Sequence, residues 1–82
     1  VVKEQPDFAS AHYYLGRGLA EAGDEAAAEK EFRIVIQQKP QGDLVQKSYY
    51  QLALVYRSMK RPKDFQEAIQ EFQRLRAAGR FS

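Results

Sequence analysis

Apolar and small residues return every third or fourth position in four separate stretches, and no stretch shows the every-second-residue alternation of a half-buried strand. The first stretch runs through Phe8, Ala11, Leu15, Leu19 and Ala22. The second carries Ala28, Phe32, Val35 and Ile36 on one side, with Glu25, Glu29, Lys30 and Arg33 on the other. Tyr49, Leu52, Ala53 and Tyr56 mark the third, and Phe65, Ala68, Ile69, Phe72 and Leu75 the fourth. A stripe of this kind with polar residues opposite it is the mark of a helix with one buried side. The pattern predicts an all-α chain of four main helices.

The breaks between stretches carry helix-ending chemistry. Asp7 is placed to cap the first helix, its carboxylate accepting from free N–H groups of the opening turn. Gly23 suits the left-handed position that closes a helix, and Asp24 caps the next. Ala26, Ala27 and Ala28 give the second helix high propensity with little bulk, and Glu29 with Arg33 forms a favourable i,i+4 pair. Pro40 and Gly42 stop it. Asp43 and Gln46 have the spacing of a capping box at the start of the third helix. Lys60, Arg61 and Pro62 form the last break; a proline at the first helical position needs no N–H, so Pro62 starts the fourth helix. Gly79 closes that helix. Four helices joined by short turns form two antiparallel pairs.

Composition narrows the range of chemistry. A chain of 82 residues holds one small domain, and its 44% hydrophobic and 29% charged residues suit a globular fold. No apolar run approaches the length of a membrane span, and the opening VVKEQPDF lacks a signal-peptide pattern. There is no cysteine, and His12 is the single histidine, so thiolate or multi-histidine metal sites and a serine–histidine relay lack material. The net charge is +2. Lys60, Arg61, Lys63, Arg74, Arg76 and Arg80 cluster late, but Asp64, Glu67 and Glu71 interrupt them, which argues against a nucleic-acid stripe. The carboxylates sit at caps or on polar faces, with no pair placed for acid–base work. Gly16-Arg17-Gly18 lies inside a helix, without the strand and turn of a phosphate loop. The expectation is a protein that is not an enzyme and takes no cofactor.

The spacing of small and large residues within residues 15–40 carries a resemblance. Leu15-Gly16 is followed by Ala28, then Phe32, then Pro40. This resembles the tetratricopeptide repeat, a helix–turn–helix unit of 34 residues with the order W-x2-L-G-x2-Y, A-x3-F, P. Pro6 to Pro40 spans one such period. His12 stands where tryptophan is usual and Leu19 where tyrosine is usual, both packing positions. In the second unit Tyr49, Leu52, Ala53 and Tyr56 match, with Leu52 lying 37 residues after Leu15. The ungapped register then puts Phe65 at the small-residue contact and Ile69 in the place of Phe32. A register with three residues inserted puts Ala68 and Phe72 there instead. The ungapped one is preferred because Pro62 starts the helix at the usual point.

The resemblance implies antiparallel helix–turn–helix repeats of an α-solenoid. On this reading residues 1–6 are the tail of a preceding helix, 7–40 and 41–79 are the two helix pairs, and 80–82 are a C-terminal tail. Gly16 and Ala28 would sit where two helices touch, with Leu15 and Phe32 filling the space beside them. The first helix of each pair would line a concave face, presenting Tyr13, Arg17 and Glu21 from one unit and Lys47, Tyr50, Leu54 and Arg57 from the other. The implied function is binding a peptide or partner protein there, without nucleic acid or membrane. The family's clamp for C-terminal carboxylates does not carry over, because Arg17 stands where one of its asparagines would be. The other expectation is a closing segment of a larger solenoid. Phe8, His12 and Leu15 would then lack a covering helix, and the chain would self-associate weakly through that edge.

Overall fold

The structure, a computed structural model, describes residues 8–40 and 42–79. The expected cap at Asp7 and the tails 1–6 and 80–82 lie outside the described residues. Four helices follow in order: α1 (Phe8–Glu21), α2 (Glu25–Gln38), α3 (Leu44–Ser58) and α4 (Pro62–Gly79). Among the described residues there is no strand. α1 packs on α2 and α3 on α4, while α2 and, more lightly, α1 join the two hairpins by packing on α3. Among the described residues α4 packs on α3 alone.

Both hairpins turn in the same way. At the end of α1, Gly23 has φ +90°, with Gly23 N donating to Ala20 O at 3.1 Å and Asp24 N to Leu19 O at 2.9 Å. These are the two bonds of a Schellman closure, which needs a left-handed residue just past the helix. Lys60, 37 residues after Gly23, takes φ 61° and donates to Arg57 O at 3.1 Å, while Arg61 N reaches Tyr56 O at 2.9 Å. The second hairpin thus makes the turn without glycine. Asp24 caps α2 as expected, accepting from Ala27 N at 3.4 Å. Asp43 precedes α3 but makes no side-chain cap bond; it lies 3.7 Å from Lys47 instead, and the capping box with Gln46 does not form.

The centre of the first hairpin is the contact of Gly16 with Phe32. Phe32 is fully buried, and a Cβ on Gly16 would stand 2.9 Å from its ring carbons. Ala28, one turn earlier on α2, is also fully buried. Only a residue without a side chain lets α1 lie over that ring. Burying it contributes roughly 1.5–3 kcal/mol. Around it the core gathers Ala9, Tyr13, Val35, Leu52, Ala53, Val55 and Tyr56.

Two expectations about packing are corrected. Leu15 does not fill the space beside Gly16, because it points away from α2 and is 51% exposed. The α2-facing side of α1 is made of Ala9, Tyr13 and Gly16. In α4 the buried small residue is Ala68, and Phe65 is half-buried. The ungapped register is therefore wrong in its contact although right in its start at Pro62: α4 reaches its close contact one turn later than α2 does.

Candidate functional groove

α1 and α3 present one side of the slab, and two hollows lie end to end along it. The first, of about 310 Å³, is lined by Tyr13, Tyr14 and Arg17 from α1, Lys47, Tyr50 and Gln51 from α3, and Phe72 from α4. The second, of about 390 Å³, continues through Arg17, Ala20, Glu21, Gln51, Leu54 and Val55 to Glu25 and Ser58. Arg17 and Gln51 belong to both, so the hollows form one groove.

Of the seven residues expected on this face, six line the groove: Tyr13, Arg17, Glu21, Lys47, Tyr50 and Leu54. Arg57 is exposed in the last turn of α3 and lines neither hollow. Tyr13 is only 6% exposed, its ring edge-to-face with Phe32 at 5.8 Å, so it is first a core residue that shows an edge to the groove. Tyr14, at 63% exposure, and Tyr50, at 44%, are the aromatic surface a guest would meet. Tyr14 stands against Tyr13 at 5.4 Å between centroids, and Tyr50 leans on Phe72 at the same distance. Tyr14, Phe72, Glu25, Val55 and Ser58 were missed from the sequence. Tyr14 neighbours a chosen tyrosine, but Phe72 joins the groove only because α4 folds back along α3.

The groove's charges are largely unspent. Among the described residues Arg17, Glu21 and Glu25 make no ion pair or hydrogen bond through their side chains. Arg17 and Glu21 are i,i+4 neighbours in the weaker orientation, with the cation N-terminal. Lys47 meets Asp43 at 3.7 Å with both side chains more than half exposed, a pair worth little.

The opposite side is already knitted together. Glu29 accepts from Arg33 Nε at 3.1 Å, from the Tyr56 hydroxyl at 2.7 Å and from Arg61 Nη1 at 3.3 Å. Arg33 Nη2 donates to the Tyr56 oxygen at 2.8 Å, and the Arg61 guanidinium lies 4.9 Å over the Tyr56 ring. Burial, and then the bond to Glu29, push the Tyr56 hydroxyl above the usual tyrosine range. The bond to Tyr56 raises Arg33, so both stay protonated and the network keeps its form through ordinary pH. It ties α2 to α3 and to the turn before α4. A cleft of about 300 Å³ lies beside it, floored by Tyr49, Leu52 and Tyr56 and walled by α2 and α4. Burial, then the charge of Glu71, raises the Tyr49 hydroxyl.

His12 is half-buried, its Nδ1 hydrogen-bonded to Glu31 Oε1 at 2.6 Å. It fastens α1 to α2, so His12, unlike Phe8 and Leu15, does not belong to the uncovered edge expected of it. Among the described residues no three His, Cys, Asp or Glu side chains gather as metal ligands, and no helix is long and apolar enough to cross a membrane.

No family model, curated protein or solved structure matches this chain. Within the chain, Gly16 lies over the Phe32 ring, and the turn that closes the first hairpin at Gly23 returns at Lys60, 37 residues later.

Proposed function

We propose that the chain is a tetratricopeptide-like interaction module whose α1–α3 groove holds an extended segment of a partner protein. The observation that supports this is the pairing of exposed Tyr14 and Tyr50 with unpaired Arg17 in one continuous groove. Aromatic rings and arginine are the usual anchors of protein recognition, the rings because they bury much area at little entropic cost and arginine because its planar fork makes several directed hydrogen bonds. The groove carries charges of both signs, which suits a peptide better than a phosphate backbone. In this reading the protein is not an enzyme and takes no cofactor.

The test is the double substitution Arg17→Ala, Tyr50→Ala, assayed against peptides selected on the unaltered chain. Both residues lie on the surface, so the expected loss of stability is about 1 kcal/mol. Binding should weaken by about 100-fold, which corresponds to about 2.8 kcal/mol. Unchanged affinity would refute the groove.

A second reading is favoured by one comparison within the chain. Leu52 is 3% exposed, whereas Leu15, its counterpart 37 residues earlier, is 51% exposed. α2 covers α3, but among the described residues no helix covers the matching side of α1, where Phe8, Ala11, Leu15, Gly18 and Ala22 form an exposed uncharged stripe. We infer that this side receives a further helix when the module is part of a larger stack. In isolation it should self-associate weakly, since a stripe of five residues falls well short of the roughly 20–30 residues a side of a stable interface. Sedimentation equilibrium should show a dimer term that Leu15→Lys removes. A strictly monomeric chain at high concentration would rule the stack out.

A further inference from the structure

The order of charges along the groove says what kind of segment fits it. We infer that the ligand is a short extended peptide with one acidic and one basic residue about three positions apart. The acid lies over Lys47 and Arg17, the base beside Glu21 and Glu25, and an apolar residue stands between them. This rests on the groove reading above.

Length comes from the helices that form the walls. Lys47 to Ser58 is eleven residues of α3. At a rise of 1.5 Å per residue the groove is about 16 Å long. An extended chain advances about 3.3 Å per residue, so about five residues fill it. Polarity comes from the side chains. Lys47 lines the first hollow with Tyr14, Tyr50 and Phe72, Arg17 stands where the two hollows join, and Glu21 and Glu25 line the second. Leu54, Val55 and Ala20 give the second hollow an apolar wall between Arg17 and Glu25. The opposite charges lie closer than the two ends: Lys47 is seven residues before Leu54, which shares the second hollow with Glu21, so about 10 Å separates them, which an extended chain covers in about three residues. A wholly acidic peptide would meet Glu21 and Glu25, and a wholly basic one Lys47 and Arg17. Like charges across an interface suppress wrong partners, so the groove selects mixed sign.

The experiment is selection of a displayed random hexapeptide library on the immobilised 82-residue chain. The expected peptides carry an acid and a base two to four positions apart. Reversing either charge in a selected peptide should weaken binding at least tenfold. The variant Glu21→Lys, Glu25→Lys should turn to peptides with acids at both positions, provided its helical circular dichroism matches the parent. The peptide-side reversals hold whether or not that variant folds. Selected peptides of a single sign, or indifference to charge reversal while Tyr50→Ala still abolishes binding, would overturn the charge order and leave the groove standing. No enrichment, or peptides that bind equally well to Tyr50→Ala and Arg17→Ala, would overturn both.

Discussion

Phe32→Ala is expected to lower the unfolding free energy by about 3–5 kcal/mol, the usual loss when a buried aromatic ring is deleted. The ring is fully buried and lies under Gly16, with Tyr13 against its face. α1 cannot collapse into the vacated space, because its own Ala9 and Gly16 already bring its backbone close to α2. At about 0.05–0.15 kcal/mol per residue, a chain of 82 residues has roughly 4–12 kcal/mol in all. The variant should therefore lose from about a quarter to all of its stability, with the loss of helical circular dichroism moved to markedly lower temperature. A loss below about 1 kcal/mol would place Phe32 at the margin of the structure, not at its centre.

Gly16→Ala should change sign with its background. In the parent chain the new methyl group meets the Phe32 ring at 2.9 Å, and overpacking of this kind costs about 1–3 kcal/mol. Alanine in a helix interior returns about 1 kcal/mol relative to glycine. The net is a loss of about 1 kcal/mol, the clash outweighing the propensity. With Phe32→Leu the ring is gone and only the propensity remains, so the same substitution should stabilise by about 0.5–1 kcal/mol. Urea melts of the four chains give the coupling directly. The same sign in both backgrounds would contradict the contact.

The helix count and the hairpin turns were legible in the sequence, because a 3.6-residue stripe and a Gly-Asp break are local signals. The resemblance placed Gly16 and Ala28 at the close approach of two helices with Phe32 beside them, whereas the neighbours that a Cβ on Gly16 would meet are the Phe32 ring carbons themselves. What misled was the assumption that the larger apolar residues of α1 face inward. Phe8 and Leu15 look outward, and the inward side is built from Ala9, Tyr13 and Gly16 because close approach needs small groups. Tyr13 and Tyr14 are adjacent, about 100° apart around the helix, and nothing local says which enters the core. Phe65 and Ala68 share one side of α4, three residues apart, and only the tertiary approach of α3 decides between them. Glu29 reads as a surface partner of Arg33, yet its second partner, Tyr56, is 27 residues away. The groove residues were found to the extent that the α1 and α3 registers repeat; Phe72 arrives from another helix and had no such signal.

The most direct test of the proposed function is an amide spectrum of the labelled chain titrated with the tightest peptide from the hexapeptide selection. Shifts should concentrate on Tyr14, Arg17, Glu21, Lys47, Gln51 and Leu54, leaving Arg33, Asp64 and Glu67 in place. Shifts centred on the cleft between α2 and α4, or on Phe8 and Leu15 at the outer side of α1, would contradict it.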